Sequence, residues 1–435
     1  MIPNAPASVI PARYSAMLGW RIALDRLWIF DENQNHLMLY RRSIEETLKR
    51  HLGRGKSVLL LGPRQTGKTT LLGRLKSDLS LSLVSPSVRQ RYEKDPSLMA
   101  GEIRALPRPG ASRKRPLVTV DEVQKVPALM DVGQDLIDRG EAQFVFTGSS
   151  ARKLRRGRDI NLLPGRLVAL RLDPLTLEES RPDTLDESLL FGALPAIRKL
   201  RRNEDKEADL RSYVETYLEE EVRQEALVRN VGLFSRFLEL AGQESGRIAN
   251  FSKISQDVGV SAVSIRTYYE ILCDCLVAER VDPVTQSSSR KKLTKASRYL
   301  LFDLGVRRLA AGEGKRLHPS RLGDLFEQFV ALELIRFSRV HAPGARLRFW
   351  RDPDGPEVDW ILEHEGAYLP IEVKLTDRPT ERDARHLVVF MEEYKTRSGL
   401  VVCTAPRPIR LHRNVTAIPW QDLAAVVSRM VSAGR

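Results

Sequence analysis

The chain has 435 residues, 42% hydrophobic and 29% charged, a balance that excludes a disordered, fibrous or collagen-like protein. Lys and Arg total 70 against 56 Asp and Glu, a formal charge of +14 with a pI near 9.8, which favours a polyanionic partner, nucleic acid or an acidic membrane surface, without choosing between them. Three cysteines, Cys273, Cys275 and Cys403, are too few for a disulfide framework or a four-ligand zinc site, and no apolar run reaches the roughly 20 residues of a membrane span, so a cytoplasmic protein with no membrane contact is expected.

The length predicts roughly two to four domains. Residues 1–37 read as an irregular, Pro-containing extension without a signal pattern, and Met38 is a second candidate start. From Met38 the segment MLYRRSIEETLKRHL carries apolar residues at helical spacing. Between Ser57 and Glu179 short apolar runs (SVLLL, LVTV, QFVFT) alternate with helix-like stretches, which predicts a three-layer α/β core with a mostly parallel sheet over residues 38–180.

The first apolar run leads into GPRQTGKTT, Gly62 to Thr70, and then into a helical pattern, the strand-loop-helix setting that a G-x-x-x-x-G-K-[ST] phosphate loop requires. Gly62, Pro63, Arg64, Gln65, Thr66, Gly67, Lys68, Thr69 and Thr70 are therefore the expected ATP-binding residues. Lys68 reaches the β and γ phosphates, and the Thr69 hydroxyl faces Mg²⁺. Leu117 to Val120 read as a buried strand delivering Asp121 and Glu122 at its C-terminal end, Asp121 for the metal's water shell and Glu122 to orient the attacking water. A third strand, Gln143 to Phe146, ends in TGSS, where Thr147 or Ser149 is placed to sense the γ phosphate. Arg166 is a candidate arginine finger for a neighbouring subunit.

Strand signals disappear over residues 181–245, where charged amphipathic segments predict a helical lid. In FSKISQDVGVSAVSIRTYYEILCDCLV the apolar residues Ile254, Val258, Val260, Ile265, Tyr269 and Leu272 fall at core spacing around Gly259, a helix-turn-helix pattern within residues 246–310. Its second helix turns Ser264, Arg266 and Thr267 outward, residue types that contact phosphates or base edges. The basic run RKLRRGR, with Arg152, Lys153, Arg155 and Arg156, and the run SRKK at Ser289 to Lys292 add candidate DNA contacts.

Residues 311–435 carry Glu327 on an amphipathic helix, Asp359 in EVDWILE, and Glu372 with Lys374 in PIEVKL. Strand alternation puts Glu372 and Lys374 on one face, and a hairpin at Glu365-Gly366 brings Asp359 alongside. Glu327, Asp359, Glu372 and Lys374 are then a candidate metal-dependent phosphodiester hydrolysis site, with Lys374 positioning or activating water.

The phrases GPRQTGKTT, VDEVQKVP, FTGSS, DPLTLEE, YVETYLEEEV, LLFDLGV, FEQFVALEL and PIEVKL resemble prokaryotic AAA-type (AAA+) P-loop ATPases whose C-terminal domain of unknown function looks like a PD-(D/E)xK nuclease. The likeness spans most of the chain after Met38, with FGALP at Phe191 to Pro195 departing slightly from the family's double-glycine form. It implies an α/β P-loop ATPase core, a helical lid, a winged-helix-like segment, an α/β nuclease-like end, and assembly as a homo-oligomer, suspected to be a hexamer. The leading expectation is an Mg-dependent ATPase that remodels or translocates DNA, with branched or junction DNA a candidate. The alternatives are an NTP-controlled switch gating a nuclease in defence, and a protein-remodelling ATPase.

Overall fold

The computed structural model describes residues 40–107, 115–150, 166–218, 231–286, 293–353 and 355–433. The extension 1–37, the basic run at Arg152, Lys153, Arg155 and Arg156, and the Ser289 to Lys292 run lie outside them.

Five strands, β1 (Ser57–Leu61), β2 (Leu79–Ser82), β3 (Leu117–Asp121), β4 (Gln143–Gly148) and β5 (Leu167–Arg171), form a sheet in the order β2-β3-β4-β1-β5. Every pairing is parallel. The strands buried along their length, β3 and β4, read LVTVD and QFVFTG, near-continuous apolar runs suited to a sheet covered on both faces. Period-2 alternation divides β1: Val58 and Leu60 pack with Ile44 and Leu48 of the helix Ile44–Gly53, whereas Leu59 packs with Leu129, Met130 and Leu136 of the helix Ala128–Asp138. The layers therefore stack helix, sheet, helix. Gly133 lets the second helix sit close, since a Cβ there would lie 2.6 Å from the Phe146 ring.

A helical region follows, with helices Leu185–Phe191, Pro195–Lys199, Asn203–Ser212 and Val231–Gln243, and a π-helical stretch Tyr213–Leu218. Two further helices, Phe251–Val258 and Ala262–Asp274, meet at Gly259, whose φ of +84° is the left-handed conformation that stops the first of them. Asn250 and Ser261 cap them, their side chains accepting the backbone N–H groups of Lys253 and Ser264. The antiparallel pair β6 (Ala278–Pro283) and β7 (Arg298–Leu301) and the helix Leu304–Ala310 complete this part. One hydrophobic cluster runs from Phe191 to Ala310 and takes in Ile254, Val258, Ile265, Tyr269 and Leu272, with Val260 half-buried against it.

The remaining strands, β8 (Arg346–Arg351), β9 (Glu357–His364), β10 (Ala367–Val373), β11 (Gly399–Cys403), β12 (Ile409–His412) and β13 (Val415–Pro419), extend the β6–β7 pair into an eight-stranded mixed sheet, order β12-β13-β11-β10-β9-β8-β6-β7. β9 and β10 are the antiparallel hairpin at Glu365-Gly366. The long helix Pro319–His341 covers one face through Phe326, Phe329 and Val330, against Trp360 and Ile371. The helix Arg385–Tyr394 covers the other through Leu387 and Phe390, against Trp350, Val358 and Ile361. The junction β6–β8, where Asp282 lies beside Arg348 and Pro283 beside Phe349, is a finding that the periodicity of separate segments did not forecast.

Candidate functional site

Parallel pairing aligns the C-terminal ends of β1, β3 and β4. Leu61 lies beside Gly148 and Val120 beside Phe146, so the phosphate loop, Asp121 and Thr147 come together at the C-terminal end of the sheet's inner strands. The loop leaves β1 at Gly62, where a Cβ would sit 2.3 Å from the Leu172 carbonyl oxygen, and enters the helix Lys68–Gly73 through Gly67 at φ +96°. Both positions demand glycine for steric reasons.

Lys68 is buried, its ammonium donating to the carbonyls of Gly62 (2.8 Å) and Pro63 (2.9 Å) and lying 3.9 Å from the Glu122 carboxylate. The Thr69 hydroxyl donates to Asp121 Oδ2 at 2.8 Å, and the Thr147 hydroxyl donates to the other oxygen, Oδ1. A hydroxyl and a carboxylate side by side are the oxygen donors that a hard cation such as Mg²⁺ takes together with phosphate oxygens, so this chain's residues fit that ion.

Glu122 holds a left-handed backbone, φ +59°, which is costly for a non-glycine residue and is fixed by its N–H donating to Thr147 Oγ1 at 3.0 Å. Its carboxylate accepts from Gln124 Nε2 (2.5 Å) and Ser149 Oγ (3.2 Å). Thr147 and Ser149 thus hold Asp121 and Glu122 in place. Arg166 ion-pairs with Asp138, and because Leu167 pairs with Ser57 it lies at the end of the sheet opposite the phosphate loop. It cannot serve its own chain's site.

Sequence reasoning missed Arg42. Buried beside the loop, it donates to the Thr66 carbonyl (2.6 Å) and the Asp173 carbonyl (2.6 Å) and pairs with Glu179 at 3.1 Å. It lies just before the helix Ile44–Gly53, in a segment that reads as ordinary and amphipathic, and nothing local announces partners 24 and 131 residues away. Arg64 stacks over the Tyr217 ring at 4.3 Å, linking the loop to the helical region. Arg42→Ala should weaken ATP binding roughly ten- to hundredfold, since two carbonyls and a carboxylate are deprived of a charged donor worth about 1.5–3 kcal/mol. A nucleotide titration checks this, and Arg42→Lys, lacking the fork, should restore little.

The second cluster forms on the C-terminal sheet. Lys374 donates to Glu372 Oε1 at 2.7 Å, the Val373 N–H donates to Asp359 Oδ2 at 2.8 Å, and Glu327 ion-pairs with Arg298 of β7. Burial and the neighbouring Asp359 push Glu327 and Glu372 each up to about 8, against the pull of Arg298 and Lys374 respectively. Burial also raises Asp359, opposed by Lys374, while Lys374, lowered by burial, is carried above its ordinary value by Glu372 and Asp359. Among the described residues no three His, Cys, Asp or Glu side chains are grouped as a metal site. The four expected residues do gather, and in this arrangement Arg298 pairs with Glu327, Lys374 with one Glu372 oxygen and the Val373 N–H with one Asp359 oxygen. Arg298 is absent from the sequence-based set.

In the helix-turn-helix, Arg266 and Thr267 are exposed and Ser264 is half-buried. Thr267 returns its hydroxyl to the Val263 carbonyl at 3.1 Å. A cleft of about 780 Å³ opens beside them, lined by Phe251, Val263, Arg266, Thr294 and Arg351.

Residues 54–180 match the family model described as an AAA domain. The core is AAA-type. Residues 182–316 and 322–423 match two models, each described as a domain of unknown function (DUF8612 and DUF4143). Uncharacterized proteins of Mycobacterium tuberculosis and Mycobacterium bovis are each 28% identical over 365 residues, covering 82% of this chain and 79% of theirs. Among solved structures, the Aeropyrum pernix ORC1 protein in complex with DNA aligns over 63% of this chain and 93% of its own at 17% identity and a TM-score of 0.26, too loose a likeness to bear on function. No helix among the described residues is long and apolar enough to cross a membrane.

Proposed function

We propose that this protein is an Mg-dependent ATPase that acts on DNA, converting nucleotide turnover at the AAA-type core into movement of the helical and C-terminal parts. The observation that carries the ATPase reading is the convergence of Lys68, Thr69, Asp121 and Glu122 at the C-terminal end of the parallel sheet. Lys68 and the loop backbone hold the β and γ phosphates; Thr69 and Asp121 hold Mg²⁺, which when bound neutralises phosphate charge. Glu122 orients water for attack on the γ phosphorus and takes its proton as the bond to the bridging oxygen breaks and ADP leaves. Arg64 against Tyr217 gives the helical region a direct contact with the phosphate loop. Arg166, remote from its own site, fits a role toward a neighbouring subunit in a homo-oligomer, with a hexamer as the proposed form.

For DNA, the support is the net charge of +14 and the cleft that Arg266 and Arg351 line together. The segment carrying Arg266 and Thr267 is proposed to act as a winged helix, residues 181–245 as the lid, and branched DNA as one substrate to test. ATP turnover measured with linear, single-stranded and branched DNA should rise, and Arg266→Ala with Arg351→Ala should remove the rise while leaving basal turnover intact. For every phosphate no longer neutralised, the log–log salt dependence of duplex binding should flatten by roughly 0.9. Turnover indifferent to every DNA at low salt would favour a protein-remodelling ATPase instead.

A further inference from the structure

Three carboxylates, Glu327, Asp359 and Glu372, gather against the C-terminal sheet, and beside Lys374 on Glu372 the cation that pairs with Glu327 is an arginine from a different part of the chain. Arg298 belongs to β7, paired with Val281 of β6 in the hairpin that directly follows the second helix of the helix-turn-helix. Its side chain is 8% exposed. The guanidinium pairs with Glu327 and lies 4.6 Å from the Phe349 ring centre and 4.9 Å from that of Trp360. Trp360 in turn donates its indole N–H to the Glu327 carbonyl at 3.1 Å, so helix, aromatic ring and arginine fix one another.

We propose that Arg298 is the built-in counter-cation of this cluster and that it and a divalent cation are mutually exclusive occupants, so the cluster is closed to metal while the β6–β7 hairpin is seated. Guanidinium and divalent cation recognise the same thing, carboxylate oxygens in a site of low dielectric, and two cations placed together there repel strongly. Glu327 is committed to Arg298, one Asp359 oxygen to the Val373 amide and one Glu372 oxygen to Lys374. The remaining Glu372 oxygen, Oε2, is buried without a hydrogen-bond partner on a residue only 4% exposed. A buried carboxylate oxygen left so marks capacity for a further cation that the arginine's charge now denies. The consequence is a C-terminal site whose metal occupancy depends on the position of a hairpin belonging to the helix-turn-helix.

The test uses nucleotide-free full-length protein and Tb³⁺ as the probe, read by tryptophan-sensitised luminescence. Among the described residues the tryptophans are Trp350, Trp360 and Trp420, all on or beside the C-terminal sheet. Arg298→Gln should bind Tb³⁺ at least tenfold more tightly than the wild type, and adding Asp359→Asn should abolish that gain. Arg298→Lys, which keeps a cation, should stay close to the wild type. Wild-type protein that binds Tb³⁺ as tightly as Arg298→Gln, in an Asp359-dependent manner, would show that Arg298 does not compete. Absence of Asp359-dependent binding in a folded Arg298→Gln protein, judged by an unchanged melting transition, would equally overturn the proposal. The readout requires no ATP, so it succeeds or fails independently of the ATPase reading.

Discussion

Glu122→Gln protein is expected to bind ATP as tightly as the wild type and to turn it over about 10²–10⁴-fold more slowly, the usual range for losing a positioned general base. The substitution is nearly isosteric, so the hydrogen bonds from Gln124 (2.5 Å) and Ser149 (3.2 Å) have an amide oxygen to use in place of the carboxylate. The Glu122 backbone N–H still reaches Thr147, and the Thr69–Asp121 pair is untouched. What is gone is the capacity to take a proton from water, together with the negative charge 3.9 Å from Lys68. Single-turnover kinetics beside a binding titration separate the two quantities. A parallel loss of affinity and turnover would mean that Glu122 shapes the pocket and leaves the chemistry to another group.

The second large effect concerns stability. Asp173, just after β5, accepts at both carboxylate oxygens from one Arg339 nitrogen (2.8 and 2.9 Å) and at one of them from Arg171 Nε (2.9 Å), while Arg339 also reaches Glu279 at 2.6 Å. The four residues come from the core, from β6 and from the long C-terminal helix. Burial pushes Asp173 upward, but Arg339 and Arg171 outweigh it and hold the carboxyl at about 2. Asp173→Asn should cost about 3 kcal/mol, toward the low end for breaking a buried ion pair because Arg339 keeps some contact with water. Because the folded value is depressed, the carboxylate's stabilisation, about 2–3 kcal/mol, is complete above the unfolded value near 4 and is lost as pH falls through 4 toward 2. Denaturant midpoints at pH 7 and pH 3 should therefore show the gap between wild type and variant narrowing by about half at the lower pH. An unchanged gap would assign the stabilisation to packing.

The parts of the molecule that were legible in the sequence are those written locally. The phosphate loop needs Gly62 and Gly67 for backbone reasons, and the strand ending in Asp121 opens on a run of mostly apolar residues; both patterns survive without knowledge of the rest of the chain. Ser261 capping and the left-handed Gly259 are equally local. What escaped depends on long-range pairing. Arg42, Asp173 and Arg298 are charged residues in segments whose periodicity is ordinary, and their meaning comes from partners 131, 166 and 29 residues distant. Charged residues are read by default as solvated, and no spacing rule distinguishes one folded inward. The C-terminal constellation shows both sides of this: strand alternation correctly put Glu372 and Lys374 together, yet the cation beside Glu327 comes from β7, outside the stretch that suggested the site.

The proposed hydrolysis of ATP by the Gly62 to Thr70 loop, with Asp121 and Glu122, rests on an ammonium held against the loop carbonyls. Phosphate release from ATP by the wild-type and Lys68→Ala proteins, purified in parallel, decides the matter. Turnover by the wild type should require Mg²⁺ and should fall to background in Lys68→Ala, because the one lysine of the loop is removed. Equal turnover by the two proteins would refute the assignment.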